Sequence, residues 1–117
     1  MSRRMLIVED EPIVLLDLTM AAEDAGFEVY SATSATAALK VLDNGGVDVA
    51  VLDVNLGGGQ TCLPIARRLD SDGVPYLVQT GDLDRAGEAV RGLTCRILAK
   101  PTRSATVVSE AAALLPR

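Results

Sequence analysis

Glu9, Asp10, Asp53, Thr80 and Lys100 have the side-chain types to handle a phosphoryl group or a metal ion, if the fold gathers them. Three carboxylates against one ammonium leave any shared crevice short of positive charge. Two like charges about 4 Å apart repel by about 4 kcal/mol at an effective dielectric near 20, so such a cluster takes up a proton or a cation. Hard oxygen ligands without nitrogen or sulfur select Mg2+, with Mn2+ or Ca2+ as substitutes. Beside such an ion a carboxylate can attack phosphorus, because phosphoryl transfer needs mainly positioning and neutralisation of the equatorial oxygens. Asp53 has the central place in the chain for that role. Lys100 would pair with one phosphoryl oxygen as a point charge, and Thr80 would donate its hydroxyl to another.

Taken singly, each of these residues has a plainer explanation, since a carboxylate or Thr that closes a strand commonly serves as a turn residue or helix cap. The elements around them change the weighing. Short apolar runs at Met5–Val8, Val29–Tyr30, Val49–Leu52, Tyr76–Val78 and Ile97–Ala99 read as five strands, and most are continuous rather than alternating, as in a parallel sheet buried on both faces. Amphipathic stretches lie between them. The first starts at Glu11-Pro12, repeats Val14, Leu15, Leu18, Ala21, Ala22 and Ala25 at helical spacing, and stops at Gly26. The second is capped by Thr33 or Ser34, lined by Ala38, Leu39 and Leu42, and ended by Asn44-Gly45-Gly46. A third runs from about Thr61 to Asp70 with Leu63, Ala66 and Leu69 inward and Pro64 in its first turn. A weaker fourth lies near Asp84 to Gly92. The last runs from about Ser104 to Leu115 on Val107, Val108, Ala111, Ala112 and Leu115.

Strand and helix alternate without a hairpin signal, which predicts an α/β fold: a (βα)5 doubly wound parallel sheet of five strands in order 2-1-3-4-5, with helices on both faces. In such sheets ligands bind beyond the carboxyl ends of the strands where the order reverses, here strands one and three. Glu9-Asp10 follow strand one, Asp53 ends strand three, Thr80 strand four and Lys100 strand five. The polar residues therefore cluster where the topology predicts a site.

Composition narrows the function classes. A 117-residue chain with 49% apolar and 23% charged residues can build the core of one domain, so residues 1–117 read as a single domain. A net charge of -5 with scattered Arg pairs gives no footprint for direct nucleic-acid binding. The apolar runs fall well short of the ~20 residues needed to span a bilayer, which predicts no membrane insertion and a cytoplasmic location. Cys62 and Cys95 have no CxxC spacing and there is no histidine, so a zinc site or disulfide framework lacks material and both thiols are expected to be buried and reduced. Without histidine the chain cannot donate from phosphohistidine; it can only receive.

The motifs resemble the response-regulator receiver family, of flavodoxin-like, CheY-like fold, from Met5 to about Leu115. The resemblance implies that Asp53 is the phosphoacceptor, that Asp10 ligates Mg2+ directly and Glu9 through water, and that the backbone carbonyl of Asn55 completes the protein's metal ligands. It makes Thr80 the switch hydroxyl and Lys100-Pro101 the family's Lys-Pro pair, whose peptide bond is usually cis. It also implies a phosphorelay role: a histidine kinase or histidine phosphotransfer protein as donor, a downstream target protein, and no enzymatic turnover beyond self-phosphorylation and autodephosphorylation.

Several positions depart from the family pattern. Ile97 stands where many receivers carry the Tyr or Phe that reports phosphorylation, Thr102 replaces an aromatic after Lys-Pro, and Gly57 stands where relatives have Pro. Asp53-Val-Asn-Leu-Gly-Gly and Thr80-Gly81 are similar to an alphaproteobacterial, often single-domain subgroup marked by Phe-Ala-Thr-Gly, although Val78-Gln79 replace its Phe-Ala. The glycines at 57 to 59 and Gly81 suggest loop rearrangement as the signal. Polar Asn55 and Asp82 suggest quick autodephosphorylation. With no output domain expected after the last helix, the response would pass to a partner; a surface on the fourth and fifth predicted helices is expected for the chain if it is instead a constitutive binding module. Two rival readings are a receiver kept as a constitutive protein-binding module, and a small phosphatase with an Asp nucleophile. The second expects the nucleophile on strand one with another acid two residues on, where this chain has Asp53 on strand three followed by Asn55. A flavodoxin-type cofactor site is disfavoured by Glu9-Asp10-Glu11-Pro12, whose acids repel phosphate.

Overall fold

The computed structural model describes residues 3–81, 93 and 95–116. Five strands, β1 (Arg4–Val8), β2 (Glu28–Ala32), β3 (Val49–Asp53), β4 (Tyr76–Thr80) and β5 (Arg96–Ala99), form one parallel sheet in the order β2-β1-β3-β4-β5. The described helices are α1 (Pro12–Asp24), α2 (Ala35–Asp43), α3 (Leu63–Asp72) and α4 (Ser104–Ala112). The helix expected near Asp84 to Gly92 lies outside the described residues, as does Asp82. No helix among the described residues is long and apolar enough to cross a membrane.

The continuous apolar strands are explained by the two cores they serve. Along β1, Met5 and Ile7 join Val49, Val51 and Leu77 in a cluster closed by Leu18 and Ala22 of α1 and by Val107, Val108 and Ala111 of α4. Leu6 and Val8 point the other way, into a cluster with Leu52, Val78, Leu42 of α2 and Ile65 and Leu69 of α3. Successive strand side chains face opposite sides, so a strand covered on both faces must be apolar at every position. The edge strand β5 is different: Arg96, Ile97 and Ala99 are exposed.

Local signals set the helix ends. Pro12 occupies the first turn of α1, where no intrahelical N–H is required, and Gly26 at φ 93° turns the chain into β2. Ala25, expected on the inner stripe, is instead the exposed cap residue of α1. Ser34 caps α2, its Oγ accepting from the Ala37 N–H at 3.1 Å. Helix α3 begins two residues later than the sequence predicts. Cys62 N–H donates to the Val54 carbonyl and Leu56 N–H to the Gln60 carbonyl, which holds Thr61 in an antiparallel bridge with Asn55 before the helix can start. Helix α4 ends at Ala112, and the residues to Leu115 continue as turns. Cys62 is buried as expected, whereas Cys95, just before the exposed β5, is only half-buried; both are free thiols.

Candidate functional site

The parallel register brings the carboxyl ends of β1, β3, β4 and β5 to one edge of the sheet. Asp53 is the last residue of β3 and pairs with Gln79 of β4, while Thr80 pairs with Ala99 of β5. The Lys100 N–H donates to the Thr80 carbonyl at 2.8 Å, which prolongs the β4–β5 ladder by one bond and fixes where the lysine leaves the sheet. The Glu9 N–H likewise donates to the Ala32 carbonyl at 3.1 Å, carrying β1 one residue further. The Lys100-Pro101 peptide bond is cis.

At that edge Glu9, Asp10 and Asp53 each bring a carboxylate oxygen within 4.8 Å of the others. Lys100 Nζ donates to Glu9 Oε2 at 3.0 Å and to Asp53 Oδ2 at 3.3 Å. Glu9 is fully buried and accepts at Oε1 from the Glu11 N–H at 3.3 Å, Asp53 is 6% exposed, and Asp10 stands in solvent. The cluster is thus graded from a buried lysine-bound acid to an open one. Thr80 is buried beside it, at 1% exposure.

Burial and charge act on these groups together. Desolvation pushes the Glu9 carboxyl up from 4.5 to about 7, against the hydrogen bond from Lys100, and the neighbouring Asp53 charge pushes the same way. Burial also raises Asp53, with Lys100 opposing. Lys100 itself is raised, because the two acids outweigh the cost of its partial burial. A divalent cation would oppose the upward push on the acids by favouring their ionised forms. An all-oxygen donor set of this kind fits a hard cation such as Mg2+, and the carboxylate separation allows one ion to touch more than one of them.

Asn55 lies on the exposed turn that follows Asp53. The two bonds flanking its bridge to Thr61 make this a pair that does not exchange its own hydrogen bonds, so the Asn55 N–H and carbonyl point away from the Thr61 segment. The glycines that follow have positive φ at 57, 58 and 59. Gly57 matters most, because a Cβ there would lie 3.4 Å from Asp10 Oδ2. At that distance a methyl group would sit in ordinary van der Waals contact with the acid.

The structure therefore gathers Glu9, Asp10, Asp53 and Lys100 in direct proximity, with Thr80 at the adjoining strand end and Asn55 on the adjoining turn. Sequence reasoning missed Gln79, whose side chain shares the sheet face of Asp53 and is buried at 3% exposure. The signal was available: a polar residue in the middle of an otherwise apolar strand, in register with the acid. The fourth predicted helix, part of the expected partner surface, lies outside the described residues. Among the described residues the large exposed apolar side chains are mainly on α1, at Ile13, Leu16 and Met20, with Ile97 on β5.

A family model described as the response regulator receiver domain matches residues 5–112. Among solved structures, a response regulator receiver protein from Sinorhizobium medicae is 26% identical with a TM-score of 0.85, over 97% of this chain and 94% of that one. SdrG from Sphingomonas melonis is 32% identical with a TM-score of 0.79, over 97% and 95% of the two chains. A response regulator protein from Burkholderia pseudomallei, solved with a phosphorylated aspartic acid, a calcium ion and citrate, is 25% identical with a TM-score of 0.78, over 98% of this chain and 67% of that one. No curated protein matches the chain.

Proposed function

The chain belongs to the response regulator receiver family, and from that membership we propose that it accepts a phosphoryl group on Asp53 from a phosphohistidine of a histidine kinase or histidine phosphotransfer protein. One observation carries the reading. Asp53 ends the central strand with Lys100 Nζ at 3.3 Å and two further carboxylates close enough to share a cation.

In the proposed reaction an Asp53 carboxylate oxygen attacks phosphorus, the bond from phosphorus to the donor imidazole nitrogen breaks, and an acyl phosphate forms on Asp53. Lys100 neutralises one phosphoryl oxygen and the Thr80 hydroxyl donates to another. Lys100 is part-buried just past the end of β5, its backbone N–H held by the Thr80 carbonyl, which gives it a fixed geometry that a free surface lysine lacks. A bound Mg2+, or Mn2+ in its place, would supply the remaining neutralisation. Asp10, Asp53 and the Asn55 carbonyl would hold it, with Glu9 acting through water. The exposure of Asp10 supports its assignment as the direct ligand, and the engagement of both Glu9 oxygens supports the indirect role.

Phosphorylation of a relative on aspartate, with a divalent cation present, supports the same chemistry here. The chain then acts in the cytoplasm by protein contacts with a downstream target, and its only chemistry is its own phosphorylation and dephosphorylation. The test is transfer from a labelled histidine phosphotransfer protein in Mg2+. Label should pass to the wild-type chain and not to Asp53→Asn. A folded wild type that takes no label from phosphohistidine donors and binds no Mg2+ would contradict the reading and leave a protein-binding module.

A further inference from the structure

One face of the sheet carries a row of polar side chains at its carboxyl edge. Ile7, Val51, Leu77 and Leu98 face the core beneath α1 and α4. Side chains two residues apart share a face, so Glu9, Asp53, Gln79 and Lys100 follow them on the same side, at the carboxyl ends of β1, β3, β4 and β5. In the strand order Gln79 stands between Asp53 and Lys100. Lys100 therefore crosses the end of β4, beside Gln79, to reach Asp53 and Glu9, and the Gln79 and Lys100 side chains line one cavity.

Gln79 is the member of this row whose donor is unpaired. It is 3% exposed, and its Nε2 has no hydrogen-bond partner among the described residues. Buried amide donors are nearly always satisfied, so an unpaired one costs stability in this state and is explained if another state uses it. Both Glu9 oxygens are taken, by Lys100 and by the Glu11 N–H, and Asp17, across the cavity on α1, accepts from Ser104 Oγ. Asp53 is the neighbouring acceptor. It pairs in register with Gln79 on strands about 4.8 Å apart, a gap that the long Gln side chain spans.

We infer that Gln79 is a further catalytic residue, donating from Nε2 to the Asp53 carboxyl when Lys100 leaves it for the phosphoryl group. The inference rests on the proposed phosphorylation of Asp53. In the unphosphorylated chain Lys100 supplies Asp53 with a hydrogen bond at 3.3 Å, and Gln79 supplies none. In the acyl phosphate one Asp53 oxygen is bonded to phosphorus and the other is a carbonyl without that lysine. On hydrolysis water adds to phosphorus and releases a proton to solvent, the bond from phosphorus to the Asp53 oxygen breaks, and its electron pair returns to the carboxylate. Negative charge thus grows on the oxygen that accepts from Gln79, and a hydrogen bond to a charged acceptor is stronger than one to a neutral carbonyl. Gln79 therefore speeds loss of the phosphoryl group.

The test loads the full chain from labelled acetyl phosphate in Mg2+, removes the donor, and follows the decay of label in wild type, Gln79→Leu and Gln79→Met. Both variants remove the amide donor and keep a side chain that fills the same space. Each should lose label about tenfold more slowly than wild type, the effect of one hydrogen bond to a developing charge. Mg2+ affinity should stay unchanged, because Gln79 is not among the ligands, and the melting temperature should not fall, because an unpaired buried donor has been removed. A packing role alone would lower the melting temperature and leave the decay rate as it was. In the wild type, side-chain amide NMR should show the Gln79 Nε2 protons moving downfield when beryllofluoride and Mg2+ are added, a readout that needs no variant to fold. Decay at the wild-type rate in a folded variant, or Nε2 protons that do not move, would overturn the inference and leave phosphorylation at Asp53 standing. A folded wild type that takes up no label would overturn both.

Discussion

Lys100 Nζ lies closer to Glu9, at 3.0 Å, than to Asp53, at 3.3 Å. The lysine that the proposed function assigns to the phosphoryl group is therefore first the counter-ion of a fully buried acid, and its removal should have two separable consequences.

Lys100→Met should abolish phosphoryl uptake and also destabilise the chain, because Glu9 is left buried without its cation. The cost at pH 8 should be on the order of 1–3 kcal/mol in urea unfolding, the usual range for stranding a buried polar group. Glu9→Gln added to Lys100→Met should recover part of that stability and none of the uptake. Equal instability of the single and double variants would show that the ion pair contributes nothing to the fold.

The metal-free chain should lose stability as pH rises from about 4.5 through about 7, on account of Glu9. The sign follows from the raised carboxyl: in this window the folded chain keeps a proton that the unfolded chain has released, so the contribution is full at low pH and is lost as Glu9 ionises. The raised Asp53 carboxyl adds in the same direction. Every tenfold difference in proton affinity between the folded and unfolded chain is worth about 1.4 kcal/mol, so the difference between wild type and Glu9→Gln should be readable by thermal unfolding across that range. Mg2+ should raise the melting temperature more at pH 8 than at pH 5.5, because a cation favours the ionised acids. A difference between the two proteins that does not vary with pH would contradict the assignment.

Gly57→Ala and Gly58→Ala form a matched pair. Both glycines have positive φ, 78° and 59°, so each substitution should cost about 1–2 kcal/mol in backbone conformation. Only at 57 would the new Cβ meet Asp10, at 3.4 Å, whereas nothing lies within 4 Å at 58. Cation titration should therefore show weaker binding for Gly57→Ala alone. Equal affinities would remove the turn from the site.

Ser34→Ala should cost about 1 kcal/mol by removing the cap of α2, while cation affinity stays unchanged. Helix α2 packs on the sheet face opposite to Asp53, so this variant serves as a control for stability without loss of the site.

The sheet order and the position of the acids were readable from the sequence, because strands buried on both faces must be continuously apolar and the polar residues fall at their ends. Finer features depended on contacts distant in sequence. The start of α3 at Leu63 rather than Thr61 is set by the bonds that tie Gln60 and Cys62 back to Leu56 and Val54. The exposure of Ile97 and the half-burial of Cys95 follow from the edge position of β5, which apolar content alone does not reveal. The pairing of Lys100 with Glu9 spans 91 residues, and no local pattern says which acid the lysine approaches most closely. Gln79 was visible as a polar residue inside an apolar strand, yet its unpartnered amide emerges only once β4, α1 and the Pro101 segment are assembled around it.

The most direct test of the central claim is the intact mass of the chain after incubation with Mg2+ and acetyl phosphate, measured beside Asp53→Asn. The wild type should gain one phosphoryl group, the variant none, and the wild type none when the metal is chelated. An unmodified wild type that is folded and binds Mg2+, or a phosphoryl group that persists in Asp53→Asn, would contradict it.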